Sequence, residues 1–119
     1  MRDFKTLYSW QKNHEFVLDI YDITKDFPNE EKFGLTSQIR RAVTSITLNI
    51  AEGCGRNTDI DFAHFLNYAF GSCSEVEYAI LLSKDLNYIN EDVYINLDNK
   101  LSAIKRMLTA LIKKLKNSW

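Results

Sequence analysis

Apolar residues recur every three or four positions through most of this 119-residue chain, and this spacing constrains its fold more than any other feature. The clearest run is Leu97, Leu101, Ile104, Leu108, Leu111 and Leu115. The chain has one proline and four glycines, which are too few chain-breaking residues for a β sandwich with many turns. The pattern therefore predicts a single all-α domain over residues 1–119.

Four helices are predicted, at about residues 9–27, 36–52, 59–87 and 91–116. The residues whose side chains are expected to cap their first turns are Ser9, Thr36, Thr58 and Asn90. Pro28 should stop the first helix, and Gly53 and Gly55 should end the second in the left-handed conformation. Because the connections are short, the expected architecture is an antiparallel up-down-up-down four-helix bundle.

The predicted helices carry one regular apolar stripe each, with a few irregular members. In the first helix the stripe is expected to comprise Trp10, His14, Val17, Leu18, Tyr21 and Thr24. Asn49 interrupts the second stripe and is interpreted as a satisfied buried polar group or a residue that fixes the helix register, with a functional role as the alternative. Gly71 and Ser72 lie within the third helix, where glycine costs about 1 kcal/mol relative to alanine. Together with Ala69 and Cys73, these small residues predict the close approach of a neighbouring helix.

The third and fourth helices also carry apolar residues outside their main stripes. These residues are Phe65, Tyr68, Phe70, Leu81, Leu82, Val93, Ile95 and Ile112. A second apolar face on a surface helix favours coverage by another chain, so a homo-oligomer is expected. The alternative is that these side chains are exposed singly and without consequence.

Sequence signatures of catalysis and cofactor binding are missing. The chain has no Gly-x-Ser-x-Gly motif, P-loop or dinucleotide fingerprint. Its nearest match to a di-metal motif is a single Asp61-x-x-His64, and both His14 and His64 are interpreted as helix-surface or boundary residues. Cys54 and Cys73 form no CxxC pair, and Cys73 falls on an apolar stripe, where it would act as a small hydrophobe; a disulfide stays open. We expect no enzyme activity, no cofactor and no metal.

Charge is distributed unevenly along the chain. Sixteen acidic and fifteen basic residues give a net charge of −1, which excludes a uniformly basic nucleic-acid binder. From residue 100 onwards there is no acidic residue, and the basic ones are Lys100, Lys105, Arg106, Lys113, Lys114 and Lys116. The tail therefore carries +6 and the preceding 99 residues −7. The tail lysines either complement the helix dipole or form a phosphate-binding edge.

A second polar cluster surrounds the second predicted helix. It comprises Arg40, Arg41, Asn49, Glu52 and Arg56. One of the adjacent arginines is expected to pair with Glu75 or Glu77 on the third helix, and Glu52 and Arg56 are expected to fix the glycine turn.

No apolar run approaches the roughly 18 residues of a membrane span, and the chain start has no apolar signal region, so a cytoplasmic protein is expected.

The order of motifs resembles a known family. The run Phe27-Pro28-Asn29-Glu30-Glu31-Lys32-Phe33-Gly34-Leu35-Thr36-Ser37-Gln38-Ile39-Arg40-Arg41-Ala42, followed by Asn49-Ile50-Ala51-Glu52-Gly53, is similar to the signature of the four-helix bundle proteins named after the intervening sequences of bacterial 23S rRNA genes. The resemblance implies left-handed bundles that assemble as homopentameric rings, with Asn49, Glu52, Gly53 and Gly71 as structural motif residues. The family has no agreed molecular activity. Its relatives include the basic, pentameric accessory variability determinant of diversity-generating retroelements, which engages nucleic acid and a reverse transcriptase.

Two hypotheses follow from the residues and the resemblance. The first is a non-enzymatic homo-oligomeric scaffold that binds nucleic acid, in particular structured RNA. Its candidate binding residues are Arg40, Arg41, Arg56, Lys100, Lys105, Arg106, Lys113, Lys114 and Lys116. The alternative is a protein-interaction adaptor, for a reverse-transcriptase-like or other protein, that does not bind nucleic acid.

Overall fold

The computed structural model describes residues 2–117, which form four long helices. The helices are α1 (Tyr8–Thr24), α2 (Leu35–Cys54), α3 (Asp59–Asp85) and α4 (Glu91–Lys116). Single turns of 3-10 helix at Phe4–Thr6 and Asn29–Glu31 precede α1 and α2. No strand occurs in residues 2–117, so the all-α prediction with four helices is confirmed.

Two of the four predicted N-caps are confirmed. The Thr58 hydroxyl accepts a hydrogen bond from the Asp61 amide at 3.1 Å, and Asn90 Oδ1 accepts one from the Val93 amide at 2.8 Å. Each bond satisfies one of the free amides that begin a helix, which is typically worth about 1 kcal/mol. The predicted caps at Ser9 and Thr36 are wrong. Both residues lie inside helices, and Ser9 is buried.

The ends of the helices also depart from expectation. Gly55 closes α2 with a φ of −81°, and no glycine among residues 2–117 has a positive φ, so the left-handed termination is wrong. The left-handed residue is Asn87 instead, with a φ of 64°, directly after α3. Asparagine tolerates this region better than most side chains. The first helix ends at Thr24 rather than residue 27, and Phe27 leaves it to pack in the core.

The core lies between the four helices and is formed by their apolar stripes. Its largest fully buried side chains include Phe16, Ile20, Ile46, Phe62, Leu66 and Leu108. Burying each such side chain contributes about 1.5–3 kcal/mol. In α1 the predicted stripe is only partly correct. Val17 and Thr24 are buried as predicted, but His14, Leu18 and Tyr21 are exposed, and Asn13 and Phe16 are buried instead. The buried face of α1 includes a polar residue, Asn13, so the spacing of apolar residues alone did not identify this face.

The close approach between α2 and α3 is centred on Gly53, not on Gly71. A Cβ atom added to Gly53 would lie 2.7 Å from Phe62 Cδ1 and 3.0 Å from Phe65 Cβ. A Cβ atom added to Gly71 meets nothing within 4 Å, so the predicted helix contact at Gly71 is wrong. Its neighbour Ser72 does reach α2, with its hydroxyl 2.9 Å from that of Ser45.

These two glycines make a matched pair for substitution. We expect Gly53→Ala to lower the free energy of unfolding by about 1–3 kcal/mol, because the buried Phe62 ring has no room to move. Gly71→Ala should raise it by about 0.5–1 kcal/mol through helix propensity alone. Urea unfolding followed by circular dichroism measures both changes. Equal effects of the two variants would contradict this assignment of the contact.

The turn between α1 and α2 is attached to the turn between α3 and α4 through Glu31. Glu31 Oε1 accepts a hydrogen bond from the Leu35 amide at 3.0 Å, and Oε2 accepts one from the Tyr88 hydroxyl at 2.8 Å. These two donors, the amide more than the hydroxyl, lower the pKa of Glu31 from its ordinary value of 4.5. Beside them, the rings of Phe27 and Tyr88 pack with centroids 5.3 Å apart.

The lowered pKa of Glu31 predicts a specific pH dependence of stability. The unfolded chain binds a proton at Glu31 more readily than the folded chain, so this contribution is present above pH 4.5 and is lost as the pH falls through the lower folded-state value. Glu31→Gln should therefore destabilise the protein most at neutral pH, and the difference from wild type should shrink in acid. Urea unfolding from about pH 3 to about pH 7 measures it. The neighbouring Glu30→Gln is the control, and a difference that does not vary with pH would contradict the prediction.

Candidate nucleic-acid interface

Two of the six basic residues of α4 have acidic partners on neighbouring helices. Lys100 Nζ lies 2.8 Å from Asp19 Oδ2 on α1. Lys105 Nζ lies 3.4 Å from Glu77 Oε1 on α3 and 5.6 Å from the centroid of the Phe70 ring. Surface pairs of this kind contribute at most about 1 kcal/mol. Their charge is nonetheless locally compensated, so these lysines are weaker candidates for phosphate contacts.

The other four basic residues of α4 are exposed and form no ion pair with any of residues 2–117. They are Arg106, Lys113, Lys114 and Lys116. Lys113 and Lys116 are three residues apart and share a helix face. With Phe70 and Asn67 of α3, they line a groove of about 320 Å³ between the two helices. Cations next to an aromatic side chain in a groove are suited to a polyanion that also presents flat rings.

The guanidinium of Arg40 is bound by residues of α1. Its Nε donates to Thr24 Oγ1 at 2.8 Å, its Nη2 donates to the Tyr21 carbonyl at 3.2 Å, and its guanidinium lies 4.6 Å from the centroid of the Tyr21 ring. These contacts join α2 to α1. The expected pair with Glu75 or Glu77 is therefore wrong for Arg40, and Glu77 bonds Lys105 instead.

Arg41 and Arg56 lie in different surroundings. Arg41 is exposed and forms no ion pair within the described chain. Arg56 Nη2 lies 2.8 Å from Glu52 Oε1, and its guanidinium lies 4.6 Å from the Phe65 ring centroid. Glu52 and Arg56 thus fix the turn after α2 as expected. The nine candidate residues are consequently distributed over separate parts of the surface.

Sequence reasoning missed the residues beside Arg41. Lys32 and Phe33, from the turn before α2, border the same surface cleft as Arg41. Phe33 is 90% exposed, more than any other large apolar side chain of residues 2–117. The available signal was that Phe33 is the one large apolar residue in an otherwise polar connection.

The two thiols are buried and are not joined to each other. Burial raises the pKa of Cys73 to about 12, and it raises the pKa of Cys54 as well. Both are therefore neutral at physiological pH, and Cys73 packs as the small hydrophobe that was predicted.

Within residues 2–117, no three His, Cys, Asp or Glu side chains are grouped so that they could hold a metal ion. The described helices include none that is long and apolar enough to cross a membrane.

The second apolar face is only partly available to a partner. Tyr68, Leu81 and Ile95 are exposed, whereas Ile112 belongs to the core of this chain. Phe65, Phe70, Leu82 and Val93 are half-buried. Further exposed apolar residues that were not anticipated are Leu48 on α2 and Tyr78 on α3.

Comparison with known proteins identifies the family. The profile of the family described as 23S rRNA-intervening sequence protein matches residues 5–110. The chain belongs to the 23S rRNA-intervening sequence protein family. The fold is similar to the crystal structure of a protein of unknown function from the S23 ribosomal protein family of Bacteroides thetaiotaomicron VPI-5482. The TM-score is 0.82 at 30% identity, covering 88% of this chain and 98% of the other. Comparison with curated proteins gives no match.

The motif residues of this 23S rRNA-intervening sequence protein have mainly local structural contacts. Asn49 is half-buried, and its Nδ2 donates to the Ser45 carbonyl at 2.8 Å and lies 3.1 Å from the Ser45 hydroxyl. Gly53 allows α2 to approach α3 closely at Phe62, and Glu52 forms an ion pair with Arg56. Gly71 has open space around it.

The adjacent arginines should differ in their effect on stability. We expect Arg40→Lys to lower the free energy of unfolding by about 1–2 kcal/mol, because lysine cannot make both hydrogen bonds while stacking on Tyr21. Arg41→Lys should change it by less than about 0.5 kcal/mol. Chemical denaturation of the two variants measures the difference. Similar losses at both positions would show that Arg40 is not the anchor between α1 and α2.

Proposed function

We propose that this protein is a non-enzymatic, homo-oligomeric scaffold that binds nucleic acid, in particular RNA, through the exposed basic residues of α4. The observation that carries the proposal is the set of four exposed cations without acidic partners in the described chain. Neutralising phosphates with such side chains releases counterions and drives binding. The family name, which refers to 23S rRNA, and the relatives implied by the resemblance support RNA as the ligand.

The proposed scaffold unit is an antiparallel up-down-up-down bundle. Contacts between neighbouring helices support this arrangement, because late residues of one helix contact early residues of the next. Thr24 of α1 bonds Arg40 of α2, and Gly53 near the end of α2 packs on Phe62 near the start of α3. Lys84 near the end of α3 pairs with Glu91 at the start of α4.

The proposed assembly is a homopentameric ring, as the family resemblance implies. Exposed Tyr68, Tyr78 and Leu48 support self-association, since large apolar side chains on adjacent helices are favoured at interfaces between chains. A ring would repeat the cations of α4 around its circumference, and linked weak contacts gain affinity from their high effective concentration.

The two unlinked cysteines are typical of a reducing compartment and support a cytoplasmic location.

One observation favours the second candidate function, a protein-interaction adaptor. A groove of about 600 Å³ between α2 and α3 is lined mainly by apolar side chains, among them Leu35, Tyr78 and Leu82. Such a groove suits an amphipathic partner helix, for example from the reverse-transcriptase-like protein that the resemblance implies. In that case the tail lysines would contribute solubility only.

Gel-shift titration with rRNA fragments at several salt concentrations distinguishes the two functions. The triple variant Lys113→Gln, Lys114→Gln, Lys116→Gln should bind more weakly than wild type. Its log–log salt slope should be smaller by about 2–3, since each lost phosphate contact removes about 0.7–0.9. The control Lys5→Gln, Lys12→Gln, Lys25→Gln makes the same charge change elsewhere.

Two outcomes would count against RNA binding through α4. One is the absence of a wild-type complex at low salt, and the other is equal weakening by both triple variants. Light scattering coupled to size exclusion shows whether the variants keep the assembly of wild type. A homopentamer would have a mass of about 70 kDa, five times the 13.9 kDa of the chain.

A further inference from the structure

The turn that carries Phe33 is held in place from both sides. The Gly34 amide donates to the Glu31 carbonyl at 2.9 Å, and the Lys32 amide donates to the Asn29 carbonyl at 3.1 Å. The Glu31 side chain adds its bonds to Leu35 and Tyr88. The exposure of Phe33 is therefore fixed by an ordered turn and does not result from a frayed chain.

Leaving Phe33 in water gains nothing for the fold of a single chain. The ring is 90% exposed, and within residues 2–117 its one cation–π contact is with Lys32, whose Nζ lies 5.6 Å from the ring centroid. Single exposed apolar residues are common on protein surfaces, but this ring is presented on an ordered turn beside cations, where a ligand can reach it. The ring and the ammonium group are presented together.

The surface next to Phe33 is a cleft of about 400 Å³ between α1 and the start of α2. Among residues 2–117, three cations border it, Lys32, Arg40 and Arg41, and no carboxylate does. Arg40 is held by Thr24 and Tyr21, whereas the side chains of Lys32 and Arg41 form no hydrogen bond or ion pair with residues 2–117. The hydroxyls of Thr36 and Ser37 also border the cleft. The cleft thus combines a flat apolar ring, positive charge and neutral hydrogen-bonding groups.

We propose that this cleft binds an unpaired nucleotide of single-stranded nucleic acid, with the base stacked on Phe33 and a neighbouring phosphate bound by Lys32 and Arg41. Aromatic platforms beside cations are the common means of holding single strands, since every base has a π face and every phosphate a charge. The inference rests on nucleic acid being the ligand of the proposed function. It adds a contact to bases, on a different part of the surface from the α4 cations, that charge alone would not provide.

Fluorescence anisotropy with two labelled strands tests the base contact. One strand is an oligouridylate of about ten nucleotides, and the other is an abasic strand with the same number of phosphates. Wild type should bind the oligouridylate about 5- to 100-fold more tightly than the abasic strand. Phe33→Leu should remove most of this preference and leave abasic binding unchanged. Arg41→Gln should weaken binding of both strands.

A matched control is available on α1. Tyr8 is also an exposed aromatic, at 62%, with Lys12 Nζ 5.5 Å from its ring centroid, but it does not border the cleft. Tyr8→Leu should leave the preference for bases as it is in wild type. Equal effects of Tyr8→Leu and Phe33→Leu would overturn the assignment to this cleft.

The outcomes separate this inference from the proposed function. If wild type binds neither strand nor the rRNA fragments, both fail. If wild type binds the two strands equally, or if Phe33→Leu keeps the preference, the nucleotide site fails and binding through α4 stands. Light scattering on Phe33→Leu is the remaining check, and a change in the oligomeric mass would assign Phe33 to a contact between subunits and overturn the nucleotide site.

Discussion

The contact between α2 and α3 sets the spacing of the whole bundle. At Gly53 the backbone of α2 lies against the Phe62 ring so closely that no Cβ atom fits, and further along the hydroxyls of Ser45 and Ser72 meet at 2.9 Å. Small residues at both points bring the two helix axes together. Phe62 is buried completely, and α1 packs against α2 while α4 packs against α3.

Glu31 couples the two turns at one end of this bundle. One carboxylate oxygen accepts a hydrogen bond from the first amide of α2. The other accepts one from the hydroxyl of Tyr88, which follows α3. A carboxylate at the start of α2 is also favoured by the helix dipole. Phe27 is buried beside Tyr88, whereas Phe33 in the following turn is exposed. An ordered turn with an exposed aromatic side chain is the result.

Sequence periodicity predicted the helices well where the core-facing residues are apolar. In α4, Leu97, Leu101 and Leu108 are buried as the spacing requires. In α1 the predicted stripe was only partly right, because Asn13 is completely buried whereas His14 is exposed and stacks on Trp10. A residue's hydrophobicity could not reveal this, since the burial of Asn13 is decided by the helices packed around it.

The candidate site was less predictable for the same reason. The type and spacing of charged residues identify cations, but their availability depends on partners far away in the sequence. Lys100 is bonded to Asp19, which is 81 positions earlier, and Lys105 to Glu77 on the adjacent helix. Arg40 resembles Arg41 in sequence, yet its donors are used by α1. Helix periodicity and some caps, such as those at Thr58 and Asn90, follow from the local sequence, whereas these ion pairs need the assembled bundle.

The meaning of the net charge changes once these partners are known. A value of −1 describes the chain as a whole, but a phosphate group responds to the field within about 10 Å of it. Near the end of α4, Lys113, Lys114 and Lys116 have no carboxylate partner within the described chain, while all the acids of the sequence precede residue 100. A nearly neutral protein can therefore present a strongly positive edge to a polyanion.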